Sequence, residues 1–153
     1  MIYMSEPKTI YVDATNQILG RLASIIAKKL LNGYRVIVVN AEKAVVSGER
    51  VRVIQGYKLI EKVTTHYNPY KTGVRRPKSP HNILKRTVRG MLPMDKPKGR
   101  NAYKRLRVYN GVPPELGKVE FIRFKEADAN RLGREYITLA DIAKELGWKG
   151  VRI

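Results

Sequence analysis

TIYVDATNQILGRLASIIAKKLLNGYRVIVV, residues 9–39, changes its apolar period twice. TIYV is β-rich and alternating, and Asp13 and Thr15 are turn-prone, so the stretch opens on a strand. Leu19, Leu22, Ala23, Ile26, Ala27 and Leu30 then recur at helical spacing, with Arg21 and Lys28 on the opposite side. Asn32-Gly33 supplies a C-terminal stop. Residues 36–39 are a continuous apolar, β-branched run, the pattern of a strand buried on both faces. Strand, helix and strand within about 30 residues make a βαβ unit, which calls for a parallel sheet and a right-handed crossover. The fold class expected is therefore α/β.

Further along, Ser47 stands where it would cap a helix over roughly 49–65, with Val53, Ile54, Tyr57, Leu59, Ile60 and Val63 as its apolar set. HYNPYKTGVRRPKSPH, residues 66–81, has three prolines, a glycine and no acid. Prolines at that density exclude a long helix or a central strand, so an extended basic loop is expected. A helix restarts near Asn82. At about 100° per residue, Ile83, Leu84, Thr87, Val88, Met91 and Leu92 fill one half of its circumference. Lys85, Arg86 and Arg89 fill the other half, with none of the glutamates that normally pair a solvated face.

Pro93 ends that helix inside RGMLPMDKPKGR, residues 89–100. Met91 and Leu92 read as the last turn of the apolar face. Arg89, Lys96, Lys98 and Arg100 then project from a stiff loop, which spares the entropy of ordering flexible cations at binding. NAYKRLRVYNG follows as a short helical turn and a strand. In the tail, VEFIRF (residues 119–124) alternates like a strand. Thr138 precedes Leu139, Ile142, Ala143 and Leu146 at helical spacing and reads as an N-cap.

The 153 residues fit one domain, read as a core over about 9–112 and a C-terminal extension over about 113–153. The absence of cysteine removes disulfides, thiolate nucleophiles and sulfur-based zinc sites. No apolar run reaches the roughly 18 residues of a membrane span, and the first residues lack a signal-peptide pattern, so a cytoplasmic protein is expected. The formal net charge of +18 demands an anionic partner, with nucleic acid ahead of a membrane surface. Residues 66–112 hold thirteen Lys and Arg against a single acid, Asp95, whereas residues 113–153 hold eight against seven. Charge partitioned in this way describes a docking surface rather than a uniformly solvated one. Tyr67, Tyr70, Tyr103 and Tyr109 lie among those cations, as suits RNA with unpaired bases. Tyr67, Lys71, Arg75, Arg76 and Lys78 in the loop, Lys85, Arg86 and Arg89 on the helix, and Arg107 beyond it form the expected RNA-facing set.

Catalysis finds little support. The turn around Gly20 matches neither G-x-G-x-x-G nor the Walker pattern, so Gly20 reads as a close-packing residue between helix and sheet. His66 and His81 lie among cations that would depress their pKa and repel a metal. Asp95 has no second carboxylate nearby in sequence, and Asp13 reads as a turn or capping residue. An RNA-modifying enzyme and a free-standing DNA-binding protein are the competing readings. The first lacks a cofactor loop and the second a helix-turn-helix.

VDATNQILGRLASIIAKKLLNG, VIVVNAEKAVVSG and above all VRGMLPMDKPKGRNAYKRLRVYNG resemble the universal large-subunit ribosomal protein L-thirteen family in its archaeal or eukaryotic-like form. The resemblance covers about residues 10–114 and the tail more loosely. It implies a three-layer α/β/α domain on a four-stranded parallel sheet with basic extended loops. It also implies a structural, non-catalytic constituent of the large ribosomal subunit that binds its ribosomal RNA and acts early in subunit assembly. Its partners would be that RNA and neighbouring ribosomal proteins, with no cofactor, membrane or small-molecule substrate. Carried onto this chain, the RNA-facing positions are Arg89, Lys96, Lys98, Arg100, Lys104 and Arg105.

Overall fold

The computed structural model describes residues 6–63, 65–72 and 76–150. In chain order the elements are β1 (Thr9–Asp13), α1 (Leu19–Leu31), β2 (Arg35–Val39), β3 (Val45–Ser47), α2 (Arg50–Glu61), α3 (Pro69–Thr72), α4 (Pro80–Gly90), α5 (Pro97–Lys104), β4 (Leu106–Val108), β5 (Tyr136–Thr138) and α6 (Leu139–Glu145). β1 and β2 run parallel, with Thr9 opposite Arg35 and Asp13 opposite Val39, and α1 joins them as the βαβ reading requires. All six apolar positions expected for α1 are buried. β4 adds parallel to the other edge of β2, from Val36 opposite Leu106 to Val38 opposite Val108.

The α/β class and the parallel sheet hold, but among the described residues the sheet has three strands rather than four, in the order β1-β2-β4. The place of a fourth strand beside β1 is taken by Ile122. Its amide donates to the Tyr11 carbonyl at 2.9 Å, and its carbonyl accepts from the Asp13 amide at 3.0 Å. That parallel bridge is one residue long, so the alternation of residues 119–124 does not become a strand. The chain leaves the sheet there because Lys125–Ala127 and Ala129–Arg131 coil into 3₁₀ turns.

The sheet is also covered unequally. Val12, Val36, Val38, Leu106 and Val108 are buried in the core that holds Leu22, Ile26, Leu84 and Val88 from the helices. On the opposite face Thr9, Arg35 and Arg107 are exposed and Tyr11 and Ile37 half-buried. Tyr11 meets the edge of the Phe121 ring at 6.4 Å between centroids. The strand order accounts for this: two right-handed crossovers advancing in one direction put their helices on the same side. The continuous run in β2 therefore marks a strand buried along one face and, on the other, only at Val39.

Residues beyond 112 share the same core. β5 pairs antiparallel with β3, Val46 opposite Ile137, and Ile137, Leu139, Ile142 and Leu146 join the main apolar cluster. The Thr138 hydroxyl accepts from the Asp141 amide, the expected cap of α6. Ser47 caps no helix; it lies in β3 opposite Tyr136, and α2 starts at Arg50.

Asp13 ties tail to sheet. Its carboxylate accepts from the Thr15 amide at 3.0 Å, the Thr15 hydroxyl at 2.7 Å, the Asn40 side-chain amide at 3.1 Å and Arg123 Nε at 3.3 Å. Burial alone would raise its pKa. The bonds from Thr15 and Asn40, with the Arg123 charge, outweigh burial and hold it below the ordinary carboxylate value. The resulting stabilisation is present above about pH 4 and is lost as pH falls through the depressed folded value. Asp13→Ala is expected to cost about 1–3 kcal/mol at neutral pH, because several donors lose their acceptor. Urea titrations at successive pH values should show a shallower acid decline in the variant than in the wild type.

Candidate nucleic-acid interface

α4 builds the centre of the cationic surface. Pro80 occupies its first turn, where a missing N–H costs nothing, so the helix begins two residues before the position expected from Asn82. Ile83, Leu84 and Val88 are buried, while Arg86 and Arg89 are exposed, as the 3.6-residue period demands. Lys85 is half-buried, with Nζ 5.3 Å from the centroid of the Tyr103 ring, a cation–π contact within the protein.

The turn after α4 shows why apolar residues sit among cations. Leu92 is buried and Met94 packs against the core, but Met91 is 43% exposed and does not extend the apolar face. The Pro93 carbonyl accepts from the Lys96 amide at 3.1 Å, and Pro97 starts α5. Gly99 is buried directly on the Pro93 backbone, and a β-carbon there would coincide with the Pro93 carbonyl. Leu92, Pro93 and Gly99 thus clamp the loop, and Lys96, Lys98 and Arg100 stand exposed on its outer side. Lys104 is exposed at the end of α5.

The other expected residues divide. Tyr67, Lys71, Arg76 and Lys78 are exposed, and Lys78 pairs with Glu61 of α2 at 3.7 Å. Arg75 lies outside the described residues. Arg105 is turned inward: its Nη2 donates to the Leu30 carbonyl at 2.6 Å and caps the end of α1. Arg107 is exposed on the open face of the sheet, with Nη1 against the Lys104 and Leu106 carbonyls. Among the described residues, no ion pair engages Arg76, Arg86, Arg89, Lys96, Lys98, Arg100 or Lys104. Two acids of the tail pair elsewhere, with Asp141 and Glu145 facing Arg50 and Glu145 facing Lys58.

Sequence reasoning missed the part played by α2. None of its residues is fully buried, and Leu59 is 62% exposed. Its Tyr57, Ile60 and Glu61 form one wall of a groove whose other wall is α4. The tertiary neighbour Glu61 leaves no trace in the local charge pattern around Lys78.

Of the sites weighed for chemistry, Asp13 and His81 make structural hydrogen bonds. His81 Nδ1 accepts from the Asn110 side-chain amide at 2.8 Å, since an amide nitrogen can only donate. Burial, with Lys85 nearby, holds the His81 pKa below the ordinary histidine value. Among the described residues, no group of three or more His, Asp or Glu is placed to hold a metal ion. Gly20 is exposed with open space where its β-carbon would be, so it does not mediate close packing of helix on sheet.

The family model described as Ribosomal protein L13 matches residues 7–115. The large ribosomal subunit protein uL13 of Saccharolobus solfataricus is 49% identical over 145 residues, 95% of this chain and 97% of the relative. That of Sulfolobus acidocaldarius is 52% identical over 143 residues, covering 94% and 96%. That of Aeropyrum pernix is 51% identical over 146 residues, covering 95% and 94%. A family match across most of the chain, and identities near one half over nearly its full length, agree with the βαβ core and the clamped basic loop: the chain belongs to the ribosomal protein L13 family.

Proposed function

We propose that the chain is a structural, non-catalytic constituent of the large ribosomal subunit in the cytoplasm. It binds large-subunit ribosomal RNA through the surface of α4, the clamped turn and α5, and it supports early subunit assembly. Ribosomal proteins that neighbour it there are its further partners, and it needs no cofactor. It acts as a single domain whose charge-balanced tail completes the core. One observation carries this reading. Arg86, Arg89, Lys96, Lys98 and Arg100 are exposed, lack acidic partners among the described residues, and sit on a backbone pinned by Leu92 and Gly99. Cations held without counter-charges are ready to take phosphates with little further ordering. The relatives are named as proteins of the large ribosomal subunit, which supports the choice of large-subunit ribosomal RNA as the partner.

Sedimentation of a cell lysate through sucrose gradients at two salt concentrations tests the proposal. Co-migration with large subunits that survives moderate salt is the expected result. Migration near the top of the gradient at low salt, free of ribosomal RNA, would overturn it.

A further inference from the structure

Between α2 and α4 lies a groove of about 570 Å³, within the roughly 300–1,000 Å³ typical of small-molecule sites. Tyr57, Ile60, Ile83, Leu92, Met94 and Leu146 give it an apolar lining. Arg76, Arg86 and Arg89 also line it, and all three are exposed. Its one carboxylate, Glu61, faces Lys78 at 3.7 Å. The groove therefore presents apolar depth beside guanidinium groups that carry no counter-charge among the described residues.

Gly90 adds a second observation. It lines the groove at the C-terminal end of α4 with no positive φ, and a β-carbon there would meet nothing within 4 Å. Glycine in a helix costs stability relative to alanine, and neither a turn nor internal packing accounts for it here. A bare helix surface beside Arg89 admits the close approach of a group from outside the chain.

We propose that this groove receives an unstacked RNA base, with the adjoining phosphates held by Arg86, Arg89 and Arg76. The inference rests on the RNA-binding reading above and deepens it. A base brings a flat, weakly hydrated ring for the apolar lining and an anionic backbone for the guanidiniums, which is the combination the groove displays. An apolar side chain from a protein partner would use the lining but leave the arginines uncompensated.

Gly90→Trp fills the groove from α4 without removing a charge, and Ile60→Trp fills it from α2. Each is measured against large-subunit ribosomal RNA over a range of salt, with chemical probing of the bound RNA. Gly133→Trp, in the tail with open space around it, is the control. The expected result is an affinity loss of about tenfold or more in both groove variants, with the salt slope kept. One or a few bases protected by the wild type should become reactive, and the control should bind like the wild type. Circular dichroism melts identify a variant that fails to fold, and the variant on the other wall then decides.

Unchanged affinity and protection in a folded groove variant would overturn the base site while leaving the RNA-binding reading intact. So would unchanged RNA affinity combined with poor incorporation into subunits, which would assign the groove to a protein partner. Failure of the wild type itself to bind ribosomal RNA would remove the reading on which the inference rests.

Discussion

Replacing Arg89 and Arg100 together by glutamate is expected to weaken binding to large-subunit ribosomal RNA by about a hundredfold or more. Each side chain is exposed, without an acidic partner among the described residues, and mounted on a backbone that the core holds in place. A charge-assisted hydrogen bond is worth about 1.5–3 kcal/mol, and a glutamate in its place adds repulsion from the phosphate. The plot of log affinity against log salt should also flatten by about two, since two phosphate contacts no longer release counterions. Stability should barely change, because Arg89 on α4 and Arg100 on α5 are both exposed on the surface. Arg131 and Arg134 serve as the comparison. They are exposed in the tail, where acids nearly balance bases, and their reversal should alter the affinity far less. Fluorescence anisotropy with a labelled RNA fragment at several salt concentrations gives both quantities. A folded Arg89/Arg100 variant with unchanged affinity and slope would contradict the assignment.

Gly99→Ala should destabilise the protein by about 1–3 kcal/mol, a fall in Tm of roughly 3–10 °C. The added methyl would land on the Pro93 carbonyl, so backbone rather than a flexible side chain must yield. Pro93 is held in turn between the buried Leu92 and the bond from its carbonyl to the Lys96 amide. Alanine is the better helix former, but that gain of under about 1 kcal/mol is smaller than the clash. The shift also displaces Lys96, Lys98 and Arg100, so RNA affinity should fall although no charge is lost. Gly133→Ala, where open space awaits the methyl, should melt like the wild type. A Gly99→Ala protein with wild-type melting would show that the clamp does not hold the loop.

The βαβ core was legible because α1 and β1 carry clean periods, and the packing follows them residue by residue. β2 misled because valine and isoleucine fill both of its faces. The partner strands carry the correct message: Thr9 and Tyr11 in β1, and Arg107 in β4, alternate with more buried residues and mark an open face. In α2 the positions of the apolar residues were visible but their fate was not. At 100° per residue Val53, Ile54 and Tyr57 fall within roughly 200–300°, and these pack against the core. With Val51 at zero, Val51, Leu59 and Ile60 fall within roughly 0–180° and are exposed, so the apolar residues encircle the helix rather than share a face.

The candidate surface was legible wherever charge and helical period coincide, as at Arg86 and Arg89. It was not legible where long-range partners decide. Arg105 looked like its neighbours in a run of cations, but the end of α1, 75 residues away in sequence, takes its guanidinium. Lys78 likewise meets Glu61 only through the fold. Gly99 carries no local sign of its role, and the backbone contact it permits appears only when α5 is laid against Pro93.

The most direct measurement is ultraviolet cross-linking of the protein to RNA within intact large subunits, with the nucleotide-bearing peptides located by mass spectrometry. Cross-links to large-subunit ribosomal RNA concentrated in peptides spanning residues 76–104 are the predicted result. Cross-links confined to the tail beyond residue 113, with none from α4, the clamped turn or α5, would contradict the account.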